Sequence, residues 1–334
     1  MEPSTEIDRH PNVVWELTRA CALQCDSCPV GAPPLRSVRE LSTYDSYRTI
    51  EQIAEIRPSR FVVTGGDPLR RDDVFDLVAH ARERSLDPTV ELSPTPMLTR
   101  RAVESLRACG VNRVVFALDD VDPRRHDNRR GLSGQYLATV TAMGWAAGAG
   151  LEFEINTLVD RANLHHLGAL LTLVERLGAA AWNLHILVPT GASKTVEMIT
   201  AIELEHLFAF ADGAATSPVQ IRIHEAPQYR RHRLQSLALD GTATIFITHI
   251  GDVQPGPFIP ISGGNVRHQS LSSIYESGKI FVALRDESRL TGKCGRCAFR
   301  CLCGGSRARA LAMIGDLLAS DPLCAYDPDA VRSH

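Results

Sequence analysis

Eight of the nine cysteines of this chain fall into two short stretches. Three lie within eight residues near the beginning, and five lie within thirty-one residues near the end. A secreted disulfide scaffold spreads an even number of cysteines through a short chain, whereas tight clusters in a long chain indicate metal or iron–sulfur ligation. The spacing therefore predicts two metal centres. The ninth thiol, Cys109, is expected to be a small buried apolar residue at a helix end.

The first cluster, Cys21, Cys25 and Cys28, has the spacing CX3CX2C and follows a strand predicted at residues 13–17. Three thiolates are one fewer than a closed structural site needs, so a zinc ion or a four-iron cluster bound here keeps an open coordination position. An open position distinguishes catalytic from structural metal sites. The alternatives are a zinc site completed by a distant histidine and thiols without a role.

The second cluster has the spacing CX2CX5C, then a twenty-residue gap and a last cysteine; its members are Cys294, Cys297, Cys303 and Cys324. Four thiolates complete a coordination shell, which suits a closed [4Fe–4S] cluster or a zinc site. Cys301 lies two residues before Cys303 and is surplus to this set. It is a spare thiol, an alternative ligand or a residue on the substrate side.

Six strand-like apolar runs alternate with segments of helical apolar spacing in the first two thirds of the chain. The strands are predicted at residues 13–17, 61–63, 89–92, 114–118, 153–157 and 184–188, and the helices at 47–56, 74–81, 102–109, 136–147 and 167–177. Repeated strand–helix units imply parallel strands with right-handed crossovers. Because the pattern stops short of eight units, it predicts an α/β fold with a partial (βα)6 TIM-like barrel, whose chemistry lies on loops after the strands.

Four regions follow from this pattern. Residues 1–12 form an N-terminal tail, 13–211 the partial barrel, and 212–260 bridging strands and a linker, with a strand at 220–223 and a hairpin around 244–253. Residues 261–334 form a small iron–sulfur-binding C-terminal domain. Such a segment of ~70 residues with few aliphatic side chains needs a metal to stay folded.

Composition places the chain among ordinary soluble proteins, since its 334 residues are 44% apolar and carry a formal net charge of −3. This balance lacks the basic excess of nucleic-acid-binding proteins. No window approaches the ~18 consecutive apolar residues of a membrane span, and no signal peptide opens the chain. We therefore expect a cytoplasmic protein that binds neither nucleic acid nor a membrane.

The first cluster, together with residues 15–20 before it, resembles the motif of the radical S-adenosylmethionine (radical SAM) superfamily. The resemblance implies that Cys21, Cys25 and Cys28 hold a catalytic [4Fe–4S] cluster whose open iron binds SAM through its amino and carboxylate groups. It further implies reductive cleavage of SAM to a 5′-deoxyadenosyl radical that abstracts hydrogen from a substrate. Reduced flavodoxin or ferredoxin is then the expected electron donor.

The turn after the second strand, Gly65, Gly66, Asp67 and Pro68, resembles the GGEP motif with which this family holds the SAM amino group. Glycines let backbone groups approach a ligand closely, and a carboxylate accepts hydrogen bonds from an ammonium group. Asp67 replaces the usual Glu, and its shorter side chain is expected to weaken or re-route the contact. The same four residues also make a good turn without any ligand.

Further SAM contacts are implied at the ends of later strands, in the order that the fold requires; they are Ser93, Arg130, Asn156, Leu187 and Val188. Arg130 belongs to a segment that resembles HDxxRG, whose arginine pairs with the SAM carboxylate. Asn156 is expected to end strand five and bind the ribose, and the two apolar residues to flank the adenine.

The second cluster resembles the auxiliary-cluster region of SPASM and twitch domains, which implies one auxiliary iron–sulfur cluster, of the [4Fe–4S] type. The tail motifs look most like the haem-biosynthesis branch of the superfamily, whose members act on carboxylate side chains of iron porphyrins in haem d1 and alternative haem synthesis. The basic stretch 229–233, with Arg222 and His224 nearby, suits such an anionic substrate or is a solvated surface. His185, in strand six, is expected to be a hydrogen-bonded core residue.

Two other functions remain open at this point. A maturase of a ribosomally synthesised peptide is the commonest role for SPASM-type tails, but many maturases carry an N-terminal recognition domain of ~80 residues. Only twelve residues precede the first strand here. The third possibility is a non-catalytic iron–sulfur electron-transfer or scaffold protein. Retention of both the three-cysteine motif and the glycine turn argues against it.

Overall fold

A computed structural model describes residues 10–232 and 244–329 of the chain. Within these ranges all strands join one sheet, in the order β10-β9-β8-β1-β2-β3-β4-β5-β6-β7. The strands are β1 (Asn12–Glu16), β2 (Arg60–Thr64), β3 (Pro88–Leu92), β4 (Arg113–Ala117), β5 (Glu152–Val159), β6 (Ala181–Ile186), β7 (Gln220–His224), β8 (Thr244–Ile247), β9 (Asp252–Gln254) and β10 (Gly264–Asn265).

Helices connect the parallel strands and continue into the C-terminal region. They are α1 (Thr43–Ile56), α2 (Val74–Glu83), α3 (Arg100–Ala108), α4 (Pro123–Arg130), α5 (Gln135–Gly148), α6 (Leu167–Leu177), α7 (Ala201–Gly213), α8 (Tyr229–His232), α9 (Leu271–Ser277), α10 (Lys279–Arg285), α11 (Gly292–Arg296) and α12 (Arg307–Ile314). Strands β1 to β7 pair in parallel and in chain order. The predicted α/β partial barrel is confirmed.

The strands of the bridging segment extend this sheet at both edges. The strand predicted at 220–223 is β7, which pairs in parallel with β6. The hairpin predicted around 244–253 is also present, because β8 and β9 pair antiparallel. Strand β8 in turn lies parallel beside β1, with Asn12 opposite Thr244. The sheet therefore has one parallel strand beyond the predicted six at each end.

The two faces of the sheet differ in chemistry. On β6, Trp182, Leu184 and Ile186 are buried in the apolar core with the helices. Because side chains alternate along a strand, Asn183 and His185 project from the opposite, inner face. The inner face of the barrel is therefore polar, as expected for a sheet that encloses a reaction site.

Helix α4 is absent from the predicted elements because its sequence, PRRHDNRR, has no apolar periodicity. Local capping defines it instead. Asp122 accepts hydrogen bonds from the backbone N–H groups of Arg124 and Arg125, and Pro123 occupies the first turn. The helix ends at Arg130, next to the cysteine loop. Among the described residues, no helix is both long enough and apolar enough to cross a membrane.

Candidate active site and auxiliary metal centre

The three early cysteines lie on the loop that follows β1, with Cys21 buried and Cys25 and Cys28 half-buried. The backbone N–H of Leu23 donates to Cys21 Sγ at 3.4 Å, and that of Ala32 donates to Cys28 Sγ at 3.4 Å. Burial raises the pKa of the Cys21 and Cys25 thiols. Because the thiolate is the metal ligand, loading this loop releases protons.

Arg130 contacts the remaining cysteine sulfur of this loop, that of Cys25. Its Nη1 lies 3.9 Å from Cys25 Sγ, and its Nη2 donates to the Asp119 carboxylate. The buried Nε of Arg130 has no hydrogen-bond partner among the described residues. A buried guanidinium N–H without a partner is costly and fits an anionic group placed beside the thiolates. Pairing of Arg130 with the SAM carboxylate, as the resemblance implies, stays a prediction.

The glycine turn after β2 packs directly against the beginning of the cysteine loop. The Gly66 N–H donates to Thr18 O at 2.8 Å, and the Asp67 N–H donates to Ala20 O at 2.8 Å. A Cβ atom at Gly66 would lie 2.4 Å from Arg19 O and 2.5 Å from Ala20 O. Such distances are shorter than any ordinary contact, so only glycine allows the two loops to approach this closely.

We predict that Gly66→Ala lowers 5′-deoxyadenosine formation by roughly 10- to 100-fold, since a displacement of about 1 Å at a reacting site can have this effect. The added methyl group forces the backbone of the cysteine loop away from β2. Anaerobic assay of SAM cleavage after reconstitution measures the effect. Gly144→Ala is the matched control, because a Cβ atom on Gly144 in α5 has no neighbour within 4 Å. Equal activity of the two variants contradicts the prediction.

Asp67 directs its carboxylate into its own turn. One oxygen accepts from the Leu69 backbone N–H at 3.1 Å and the other from Thr95 Oγ1 at 2.5 Å. The side chain is fully buried, and burial raises its pKa. Pro68 follows in the first turn of a short 3-10 helix. The shorter acid is thus engaged locally, and binding of the SAM amino group by Asp67 stays a prediction.

Of the remaining predicted SAM contacts, three lie after the C-terminal ends of parallel strands and one does not. Ser93 follows β3, and its hydroxyl donates to Gly66 O at 2.8 Å. Leu187 and Val188 are buried directly after β6. Asn156 differs from the prediction that it ends strand five, because β5 keeps pairing with β6 as far as Val159. It lies in the middle of β5.

An ion-pair network on the inner face of the sheet includes Arg222. Glu154 accepts hydrogen bonds from Arg60 at 2.6 Å and from Arg222 at 3.0 Å. Although burial opposes its ionisation, these partners lower the pKa of Glu154 to about 2. Arg222 is therefore neutralised inside the barrel rather than presented to an anionic ligand. A glutamate between the apolar residues Phe153 and Ile155 was the sequence signal for this network.

The four late cysteines assigned to the second cluster line one cavity. Each of their sulfurs has a nitrogen donor close by. Backbone N–H groups of Phe299 and Gly305 donate to Cys297 and Cys303 at 3.4 Å. The other two donors are guanidinium groups, at 3.6 Å from Arg307 to Cys294 and 3.9 Å from Arg231 to Cys324. The same donor chemistry thus surrounds both sets of thiols.

Four cysteine thiols are a complete ligand set for a [4Fe–4S] cluster, and the auxiliary cluster stays a prediction. Among the described residues, no three His, Cys, Asp or Glu side chains are close enough together to hold one metal ion. Thiols around a four-iron cube are spaced more widely than thiols around one tetrahedral zinc ion. Burial raises the pKa of Cys303 to about 11, so binding a cluster must deprotonate it. Cys301 is exposed and does not line the cavity.

The basic stretch borders this auxiliary cavity. Arg231 pairs with Glu205 at 2.5 Å and lies over the Tyr326 ring, 5.0 Å from its centroid. Burial lowers the pKa of Arg230, whose Nη1 donates to Leu302 O at 3.4 Å. These two arginines therefore do not form the open anion-binding face that the sequence suggested. Arg233 lies outside the described residues.

A buried ion pair that sequence reasoning missed supports the auxiliary loop. Arg309 on α12 and Asp321 pair at 3.1 Å, and both side chains are 0% exposed. Asp321 also accepts from the Ser306 backbone N–H at 2.7 Å and from Gln228 Nε2 at 2.6 Å. Asp321 lies three residues before Cys324 along the chain. Its only sequence signal was an acidic residue close before the last cysteine.

Comparison with known proteins finds relatives over nearly the whole chain. Residues 15–174 match the family model of the radical SAM superfamily. An AdoMet-dependent heme synthase of Nitratidesulfovibrio vulgaris is 34% identical over 98% of this chain and 96% of its own length. A second AdoMet-dependent heme synthase, from Methanosarcina barkeri, is 32% identical over 95% of this chain and 96% of its own length. A PqqA peptide cyclase of Methylocella silvestris is 26% identical over 94% of this chain and 87% of its own length.

The fold of this chain is also similar to that of a solved structure. The structure of Streptococcus suis SuiB bound to S-adenosylmethionine is similar with a TM-score of 0.79, at 15% identity, over 95% of this chain and 78% of SuiB. At this identity the likeness concerns the fold alone. The matching family model and the full-length relatives show the family. The chain belongs to the radical SAM superfamily of enzymes, whose members bind SAM at a three-cysteine iron–sulfur cluster.

Proposed function

We propose that this radical SAM enzyme modifies a propionate-type carboxylate side chain of an iron porphyrin in the biosynthesis of a haem-type cofactor. One observation carries the proposal, the identity of 34% over 98% of the chain to a relative named AdoMet-dependent heme synthase. Identity to the PqqA peptide cyclase is lower, at 26%. Both relatives are aligned over nearly the whole chain, so the difference does not arise from a shared domain alone.

Each residue set has a defined task in this proposal. Cys21, Cys25 and Cys28 hold a [4Fe–4S] cluster and leave one iron open for SAM. When bound, the reduced cluster and SAM supply a 5′-deoxyadenosyl radical, which removes a hydrogen atom from the substrate. The free Nε of Arg130 binds the SAM carboxylate. Buried Leu187 and Val188 exclude water beside the adenine.

The substrate chemistry requires an electron acceptor. When a propionate side chain loses one hydrogen atom and then one electron, its C–C bond to the carboxylate breaks, carbon dioxide is released, and a vinyl group remains on the porphyrin. In the proposal, Cys294, Cys297, Cys303 and Cys324 hold an auxiliary [4Fe–4S] cluster that supplies this acceptor. Reduced flavodoxin or ferredoxin delivers the electron that SAM cleavage consumes.

Anaerobic incubation with iron coproporphyrin, SAM and dithionite tests the proposal. We expect a porphyrin product lighter by the mass of formic acid for each propionate converted, with one 5′-deoxyadenosine formed per conversion. A reaction without SAM is the control. Formation of 5′-deoxyadenosine with an unchanged porphyrin mass contradicts the proposed substrate class.

A peptide-maturase function is the second candidate, favoured by full-length alignment with a PqqA peptide cyclase. A short open reading frame beside the gene, encoding a peptide that the enzyme changes in mass in the same assay, would support it. Parallel incubations with this peptide and with iron coproporphyrin distinguish the two substrate classes directly.

A further inference from the structure

The inner face of the sheet carries a group of residues that the cysteine and glycine motifs do not explain. His185 on β6 and His224 at the end of β7 are register partners on adjacent parallel strands. Their rings stack with centroids 4.5 Å apart and planes at 12°. A Glu225 carboxylate oxygen lies 3.1 Å from His185 Nδ1. His185, His224 and Glu225 are called the inner histidine site below.

The backbone at Glu225 is in an unusual conformation that builds this site. Its φ is +57°, in the left-handed region that residues other than glycine rarely adopt. Continued extension would turn the Glu225 side chain to the face opposite His224, because side chains alternate along a strand. The left-handed turn brings the carboxylate beside His185 instead. Arg309 Nη2 donates to Glu225 O at 2.9 Å and holds the turn in place. Strain of this kind is concentrated at functional sites.

The hydrogen bond to Glu225 determines which nitrogen of His185 is available. A carboxylate only accepts, so Nδ1 carries the proton that it donates to Glu225. No described residue forms a hydrogen bond with Nε2, and 29% of the His185 side chain is accessible. Burial opposes protonation, but the Glu225 carboxylate outweighs it and raises the pKa of His185. His185 thus offers a basic, accessible Nε2.

His224 is fixed in the neutral state beneath this ring. The Asn183 side-chain amide donates to Glu154 at 2.9 Å and to Asn156 at 2.9 Å, which orients its oxygen toward His224. That oxygen accepts from His224 Nε2 at 3.3 Å. Burial and the neighbouring His185 lower the pKa of His224 to about 3. A neutral, immobile ring therefore supports the face of His185.

A histidine that donates one N–H to a carboxylate and keeps the other nitrogen free is the usual form of a metal-ligating imidazole. Among the described residues, no three His, Cys, Asp or Glu side chains are placed to hold one metal ion, and those of the inner histidine site are no exception. An iron already bound by four porphyrin nitrogens needs only an axial ligand. The site therefore fits the iron of a porphyrin.

We propose that His185 Nε2 is an axial ligand of the iron in the porphyrin substrate, an inference that rests on the proposed function. The lone pair of Nε2 forms the Fe–N bond and displaces a solvent ligand. Any proton on Nε2 is released to solvent, the Nδ1 proton stays directed at Glu225, and the oxidation state of the iron does not change. Glu225 is a positioning residue for this bond.

The location of the site suits this role. Asn183 bridges His224 and Asn156, with hydrogen bonds of 3.3 and 2.9 Å. Asn156 is the residue predicted to bind the SAM ribose. A porphyrin attached through its iron to His185 is therefore held on the strands next to the predicted SAM position, whichever of its side chains is to react.

Binding of iron(III) coproporphyrin and metal-free coproporphyrin to the reconstituted enzyme tests the inference. We expect the wild type to bind the iron form more tightly and to give the electron paramagnetic resonance spectrum of an imidazole-ligated ferric porphyrin. In His185→Gly, affinity for the iron form falls at least about 10-fold, and affinity for the metal-free form is unchanged. Added imidazole restores the ligated spectrum in this variant.

Two further variants separate ligation from structural effects. His165→Ala removes an exposed histidine in the short 3-10 helix Leu164–His166 and leaves the spectrum unchanged. Glu225→Gln keeps the ligand but raises the reduction potential of the bound iron, because the carboxylate no longer increases the basicity of His185. A purely structural role of Glu225 would not move this potential.

The outcomes distinguish a wrong axial ligand from a wrong substrate class. If His185→Gly without imidazole keeps the imidazole-ligated spectrum, or if the wild type binds both porphyrins equally, the axial ligand is not His185 and the proposed function still stands. If the wild type binds neither porphyrin, the proposed function fails and this inference fails with it.

Discussion

Replacing Cys25 with alanine is expected to reduce 5′-deoxyadenosine formation to background, a fall of more than about 1,000-fold, because a cluster that has lost one of three ligands no longer holds SAM on an open iron. Cys25 is the thiol that Arg130 contacts at 3.9 Å. Anaerobic reconstitution with iron and sulfide, followed by assay with SAM and dithionite, measures the yield.

Iron content provides a second measurement on the same variant. Two [4Fe–4S] clusters correspond to about eight irons per chain in the wild type, and Cys25→Ala should retain about four in the auxiliary cluster. Cys303→Ala should likewise lose about four, but from the other site. Fewer than about seven irons in the wild type contradict the presence of two such clusters.

Cys109→Ala is the matched control, since it removes a thiol that lies apart from both sites at the end of α3. Cys301→Ser serves the same purpose inside the tail, because Cys301 is exposed and does not line the auxiliary cavity. Both should keep the full iron content. An unchanged 5′-deoxyadenosine yield in Cys25→Ala would remove the three-cysteine loop from the catalytic site.

The parts of the molecule that were predictable from sequence are those determined by residues close together in the chain. The three-cysteine loop and the Gly65–Gly66 turn each occupy a few consecutive positions, and apolar runs of three to five residues indicated the parallel strands. Helix α4 escaped prediction because it lacks apolar periodicity. Asp122 and Pro123, a good N-cap and first-turn pair, were its signal.

The remaining parts depend on contacts between distant residues. Glu225 reaches His185 across forty positions, and Arg309 reaches Glu225 across eighty-four. No local pattern reports such contacts. Asp67 shows the same limit over a separation of 28 positions, since the direction of its carboxylate toward Thr95 depends on how the chain continues after β3. The contact between Arg309 and Glu225, which connects the barrel to the auxiliary loop, is therefore among those that the sequence does not indicate.

Removing one member of the Arg309–Asp321 pair should strongly destabilise the packing of the auxiliary loop against the barrel. Asp321→Asn leaves an uncompensated guanidinium in a fully buried position, at a cost of about 3 to 5 kcal/mol. Although burial opposes ionisation of the acid, Arg309 lowers the pKa of Asp321, so the charged pair is present at neutral pH. Denaturant titration of the anaerobic holoenzyme, with iron counted before and after, measures the loss.

The exposed pair Arg100–Glu104 on α3 gives the matched comparison, because its side chains are 74% and 55% exposed. Glu104→Gln should cost at most about 0.5 kcal/mol, as exposed helix pairs do. If Asp321→Asn matches Glu104→Gln in both stability and auxiliary iron, the pair does not hold the auxiliary loop. Loss of auxiliary iron from Asp321→Asn with full iron in Glu104→Gln instead identifies the pair as the support of that site.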